Sequence, residues 1–159
     1  MKYKVKLLEN HKATKNQITS TGYLGIEDMD MIITFDGKAK VNAEYKGITI
    51  HTDQPQPSGD GSAPAPFDLF LASIGTCAGI YVKSFCDQRG IATTDIRIVQ
   101  SMEFDRVKHL ISKIHLEIQL PSSFPEKYRN AIINAAEICA VKRHLHDPPM
   151  IETTAVIGR

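Results

Sequence analysis

The chain has 159 residues, 42% of them hydrophobic and 23% charged, the proportions of one soluble globular domain rather than of a disordered or fibrous chain. Lys and Arg number 19 against 18 Asp and Glu, and a net charge of +1 lacks the positive excess that neutralises phosphates, so no nucleic-acid partner is expected. The opening MKYKVKLLEN interleaves charge with apolar residues, and no later stretch reaches the roughly 18 uninterrupted apolar residues of a membrane span, so a cytoplasmic chain without a membrane partner is expected.

Residues 2–8 alternate, with Tyr3, Val5 and Leu7 on one face of a predicted strand. Asn10 to Asp30 is polar, with Gly22 and Gly25, and reads as a long loop or as a loop holding one further short strand. Met31 to His51 contains three short β-like runs, separated by Asp36-Gly37 and Lys46-Gly47, both tight-hairpin signals. Gln54 to Pro66 is rich in Pro, Gly and Ser. It reads as a loop feeding a helix and not as a linker, because too few residues precede it for an independent core.

Pro66 suits the first turn of a helix and Gly90 suits the position just past its end, which predicts a helix over residues 66–89. Phe67, Leu69, Phe70, Ile74, Ile80, Val82 and Phe85 cannot share one stripe, so the helix must be covered on every side. At 1.5 Å per residue it would run roughly 36 Å, long for a domain of this size, and a second subunit is the natural cover.

Two strands are predicted next, one within Asp95 to Phe104 and one in which Leu110, Ser112, Ile114, Leu116, Ile118 and Leu120 share a face. Ser122 or Ser123 can cap a helix that Pro125 and Glu126 open, with Tyr128, Ile132, Ala135, Ala136 and Cys139 along one side. A short helical piece, Val141 to His146, ends at Asp147-Pro148-Pro149, and Ile151, Thr153, Ala155 and Ile157 alternate as a last strand. The order predicts an α+β fold, a single domain over residues 1–159, with mainly antiparallel sheet around a long buried helix.

The three cysteines, Cys77, Cys86 and Cys139, lie nine and 53 residues apart, which fits neither a disulfide framework nor a CxxC pair. Cys86 falls on the helix face opposite Cys77 and reads as a small core residue that cannot pair with it. Ser58-Gly59-Asp60-Gly61-Ser62 could hold an anion on free N–H groups, but it lacks the phosphate-loop pattern and reads better as a loop. His51 with Asp53, and His144 with His146, supply no third ligand at a recognisable spacing, so no metal site and no cofactor are expected.

The segment PFDLFLASIGTCAGIYVKSFCDQRGI (66–91), taken with ICAVKRHL (138–145), resembles the OsmC/Ohr family. That family has a proline-led buried helix carrying a cysteine, and a second cysteine about sixty residues later in a C-x-V-x-x-x-L context; here the separation is 62. The resemblance implies an intertwined homodimer and reduction of organic hydroperoxides. Cys77 matches the attacking thiol, oxidised to a sulfenic acid, and Cys139 the resolving thiol, with an external dithiol as reductant.

The peroxidase branch also uses an arginine in the N-terminal strands and a glutamate directly after the helix-opening proline. Here the first arginine is Arg89, and Phe67 follows Pro66. Asp68 lies one place further on, about 100° around the helix, and reads either as a supporting acid or as a first-turn acid complementing the helix dipole. Lys40, Lys46 and Arg143 are candidates to replace the missing cation; Lys142 and His144 also follow Cys139 closely. The departures open a second reading, a non-peroxidase protein of the same fold that binds a small apolar or thiol-containing ligand near the cysteine pair.

Overall fold

Lys46 and Gly47 both adopt positive φ, 50° and 74°, the conformation that a two-residue hairpin turn demands of both central positions. They join β2 (Val41–Tyr45) to β3 (Ile48–Thr52), and the turn around Gly37 joins β1 (Ile32–Phe35) to β2. The three strands form one antiparallel sheet in the order β1-β2-β3, with Val41 opposite both Phe35 and Thr52. These features come from a computed structural model that describes residues 30–158. The expected strand over residues 2–8 and the 10–29 stretch lie outside the described residues.

The loop after β3 runs into α1 (Pro66–Asp87). Its entry is closed by Asp68, whose carboxylate accepts the N–H of Ala65 at 3.1 Å, the third-position acid of a capping box reaching back to the cap. The helix ends two residues before the expected Arg89. The Arg89 N–H bonds to the carbonyl of Cys86, three residues back, while its guanidinium takes the Phe85 carbonyl that a continuing helix would have used. Gly90 then turns the chain at φ +64°.

By length and composition α1 could cross a membrane, yet its inner face builds the core: Ala78, Val82, Phe85 and Cys86 pack with Ile132 and Ala136 of α2 (Arg129–Glu137). Edge-to-face contact between Phe85 and Tyr128, at 5.9 Å and 82°, extends the cluster. The described residues leave part of its other face uncovered. Phe67, Phe70 and Ile80 expose 55%, 40% and 69% of their surface.

β4 (Arg97–Asp105) and β5 (Leu110–Gln119) pair antiparallel as a second sheet, with Ile98, Leu116 and Ile118 turned toward the core. The expected alternation holds from Ile114 onward and fails before it. The register shifts between Glu103 and Phe104, which pair with Lys113 and Ile111, so Ser112 bulges out of the ladder. The extra residue reverses the facing of what precedes it: Ile111 is half-buried, and Leu110 is exposed.

A 3₁₀ turn (Glu126–Tyr128) opens α2, and no serine side chain caps it. After α3 (Ala140–His146) the expected last strand is absent from the described residues: 147–158 contain no strand, and Ile151 exposes 86% of its surface. Alternation in sequence gives Ile151, Thr153, Ala155 and Ile157 a common face, but a strand also needs a backbone partner, and no described strand pairs with this segment. The result is α+β, with two antiparallel sheets and a long helix.

Candidate functional site

A cleft of about 610 Å³ opens between α1, the second sheet, α2 and α3. Ile74 and Ala78 of α1, Ile98 of β4, Ile114 and Leu116 of β5 and Ile133 of α2 make its walls apolar. Its polar lining groups are His115 and Glu117 from β5, Arg129 and Glu137 from α2, and Lys142 from α3.

Cys77 lies between Ile74 and Ala78 on α1 and is half-buried. Cys139 stands at a different place in the fold. It occupies the corner between α2 and α3 in an extended conformation (φ −66°, ψ 146°), just after Ala136 and Glu137 and just before Lys142, all of which line the cleft. Its side chain is fully buried, and its Sγ accepts the backbone N–H of Lys142 at 3.4 Å. Both cysteines are free thiols, and neither lines the cleft itself: Cys77 adjoins Ala78 in the chain, and Cys139 stands between Glu137 and Lys142. Cys86 is turned into the core as the sequence predicts, fully buried, and desolvation pushes its thiol above the usual range.

The other candidates are held elsewhere. Asp68 is committed to the start of α1, nine residues or about 13 Å along the helix from Cys77. Lys40 pairs with Asp60 at 3.4 Å, and Lys46 lies over the Tyr45 ring at 5.0 Å. Arg89 stacks on Phe85 with its guanidinium carbon 3.8 Å from the ring centre. Arg143 is exposed, and its backbone N–H bonds to the Cys139 carbonyl at 3.1 Å. Of the cations near Cys139 in sequence, Lys142 is the one that lines the cleft, its Nζ 2.7 Å from Glu137 Oε1.

The glycine-rich loop before α1 does hold an anion, supplied by the chain itself. Asp53 is fully buried and accepts the N–H groups of Gln54 (2.8 Å), Asp60 (3.1 Å) and Ser62 (3.0 Å) and the Ser62 hydroxyl (2.8 Å). These donors, Ser62 foremost, hold its carboxyl down at about 2. The expectation that this segment is a plain loop is therefore corrected: its N–H groups do hold an anion, and the anion is Asp53, seven residues before Asp60. His51 bonds to Asn42 and His144 to the Ala140 carbonyl; among the described residues no three His, Cys, Asp or Glu groups come together to hold a metal ion.

The sequence model of the OsmC-like protein family matches residues 59–154, from the Asp53 cradle through both cysteines to the exposed C-terminal segment. The chain belongs to the OsmC-like family. Its fold agrees with solved structures. A Psychrobacter arcticus 273-4 protein named for osmotic stress induction and detoxification response is 20% identical, with a TM-score of 0.62 over 77% of this chain and 90% of that one. An OsmC-like protein from Mycoplasma pneumoniae is 13% identical, with a TM-score of 0.57 over 76% and 88%. An OsmC-like protein of unknown function from Vibrio cholerae is 14% identical, with a TM-score of 0.51 over 79% and 94%. At these identities the likeness is one of fold. No curated protein sequence matches the chain.

Proposed function

We propose that this OsmC-like chain, one domain acting as a cytoplasmic homodimer, reduces organic hydroperoxides through Cys77 and Cys139. One observation carries the reading: two free cysteines, 62 residues apart in sequence, each lie within three residues of side chains that line a single apolar cleft. The Cys77 thiolate attacks the outer peroxide oxygen, the O–O bond breaks, and the alcohol leaves with a proton, giving a sulfenic acid on Cys77. The Cys139 thiol then displaces that oxygen as water and forms a disulfide. An external dithiol returns both sulfurs to thiols and is itself oxidised to a disulfide. The apolar walls suit a hydrocarbon substituent on the peroxide, and the uncovered face of α1 suits a second copy of the chain.

The committed positions of Asp68, Lys40 and Lys46 favour a second reading, binding of a small apolar or thiol-containing ligand in the same cleft without turnover. Cumene hydroperoxide consumption in excess dithiothreitol separates the two. The peroxidase reading expects catalytic consumption by wild type and none above background by Cys77→Ser. Consumption by wild type no faster than by that variant leaves the binding reading.

A further inference from the structure

The corner between α2 and α3 consists of Ile138 and Cys139, and the chain treats them oppositely: Ile138 exposes 60% of its surface and Cys139 none. Three contacts hold Cys139. Its Sγ accepts the Lys142 N–H, its carbonyl accepts the Arg143 N–H, and the ion pair from Lys142 Nζ to Glu137 Oε1 spans the corner from two residues before it to three after. Its lysine is the least exposed in any ion pair among the described residues, with Lys40 next at 34%. The Lys142 side chain is only 16% exposed, against 58% for Lys83 and 62% for Lys113 in their pairs, so it is held along the cleft wall instead of waving in solvent.

We propose that Glu137 and Lys142 form a positioning clasp that fixes the Cys139 sulfur for attack on oxidised Cys77. The inference rests on the peroxidase reading. In the resolving step the S–O bond of the Cys77 sulfenic acid breaks as the S–S bond to Cys139 forms, and hydroxide leaves with the thiol proton as water. That displacement is in line, so the attacking sulfur must lie on the extension of the S–O bond. A sulfur held from both sides spends more of its time there than one on a loose corner. Glu137 and Lys142 touch neither sulfur with their side chains; they act by holding the corner.

The test mixes the reduced full-length protein rapidly with cumene hydroperoxide and traps sulfenic acid with dimedone, so that Cys77 oxidation and disulfide formation are timed separately. Lys142→Met and Glu137→Gln should each lower the ratio of disulfide formation to Cys77 oxidation about fivefold, the scale of a partly screened ion pair, and Lys142→Arg should restore it. General damage to the fold would slow both steps and leave the ratio unchanged. A wild-type or higher ratio in Lys142→Met and Glu137→Gln overturns the clasp alone. Absence of any Cys77 oxidation in wild type overturns the peroxidase reading beneath it, and the clasp with it.

Discussion

Asp53 accepts two hydrogen bonds from Ser62, one from its backbone N–H at 3.0 Å and one from its hydroxyl at 2.8 Å, and so closes the loop that delivers the chain into α1. The Asp53 N–H bonds in turn to the Pro64 carbonyl at 3.2 Å, so the loop is tied at both ends. The start of the helix that carries Cys77 is therefore fixed by a buried carboxylate.

That carboxylate makes stability pH-dependent with a definite sign. Its folded pKa of about 2 lies below the ordinary 3.8, so its contribution is present above the ordinary value and is lost as pH falls from about 4 towards 2. Thermal melts of wild type should show Tm falling through that window. Asp53→Asn, whose NH2 would face N–H donors, should melt several degrees lower at pH 7 and show a flatter acid limb.

Gly59 is where the loop passes closest to itself. A Cβ there would overlap the Gln54 carbonyl oxygen, which accepts the Gly61 N–H at 3.0 Å, and the Asp53 carboxylate, held by the bonds just described. Gly59→Ala should cost about 3 kcal/mol in urea unfolding, the upper range for forcing a methyl into a packed site. Gly37→Ala, in open space at φ +68°, should cost only about 1–2 kcal/mol, the strain of the left-handed conformation.

A second close approach joins α1 to β4. Gln100 donates to the Leu71 carbonyl at 3.0 Å, while its own Oε1 is buried without a partner and would meet a Cβ on residue 75 at 2.9 Å. Gly75→Ala should destabilise the protein by about 1–3 kcal/mol. Gln100→Leu removes the unpartnered oxygen and should be nearly neutral. In the double variant most of the Gly75→Ala cost should disappear, a coupling that a double-mutant cycle measures directly.

The exposed side of α1 yields a prediction about assembly. Ile80 exposes 69% of its surface in the middle of the helix that the sequence says must be covered all round. Gel filtration at micromolar concentration should give a dimer for wild type and a monomer for Ile80→Glu. A wild-type monomer would contradict the assignment of a second copy to that face.

Where local pattern and long-range pairing agree, the sequence was readable. Lys46-Gly47 marks a turn that needs two positive φ values, and Pro66 and Gly90 bracket α1 to within two residues of its observed end. Cys77 and Cys139 are picked out by motif, and residues close to each in the chain line one cleft. The failures arise where a neighbour decides. Leu110 follows the alternation of β5 but loses its face to the bulge at Ser112, a matter of register with β4. Ile151 to Ile157 has the pattern of a strand, but no described strand pairs with it. Asp53 reads in sequence only as a neighbour of His51 without a third metal ligand, because the N–H groups that bury it belong to residues up to nine positions away.

The most direct test of the redox pair is a peptide map of the reduced protein after one equivalent of cumene hydroperoxide, under non-reducing conditions. The account predicts a peptide pair linked through Cys77 and Cys139 in wild type, a single added oxygen on Cys77 in Cys139→Ser, and neither product in Cys77→Ser. Linkage through Cys86, or oxidation spread equally over the three cysteines, would contradict it.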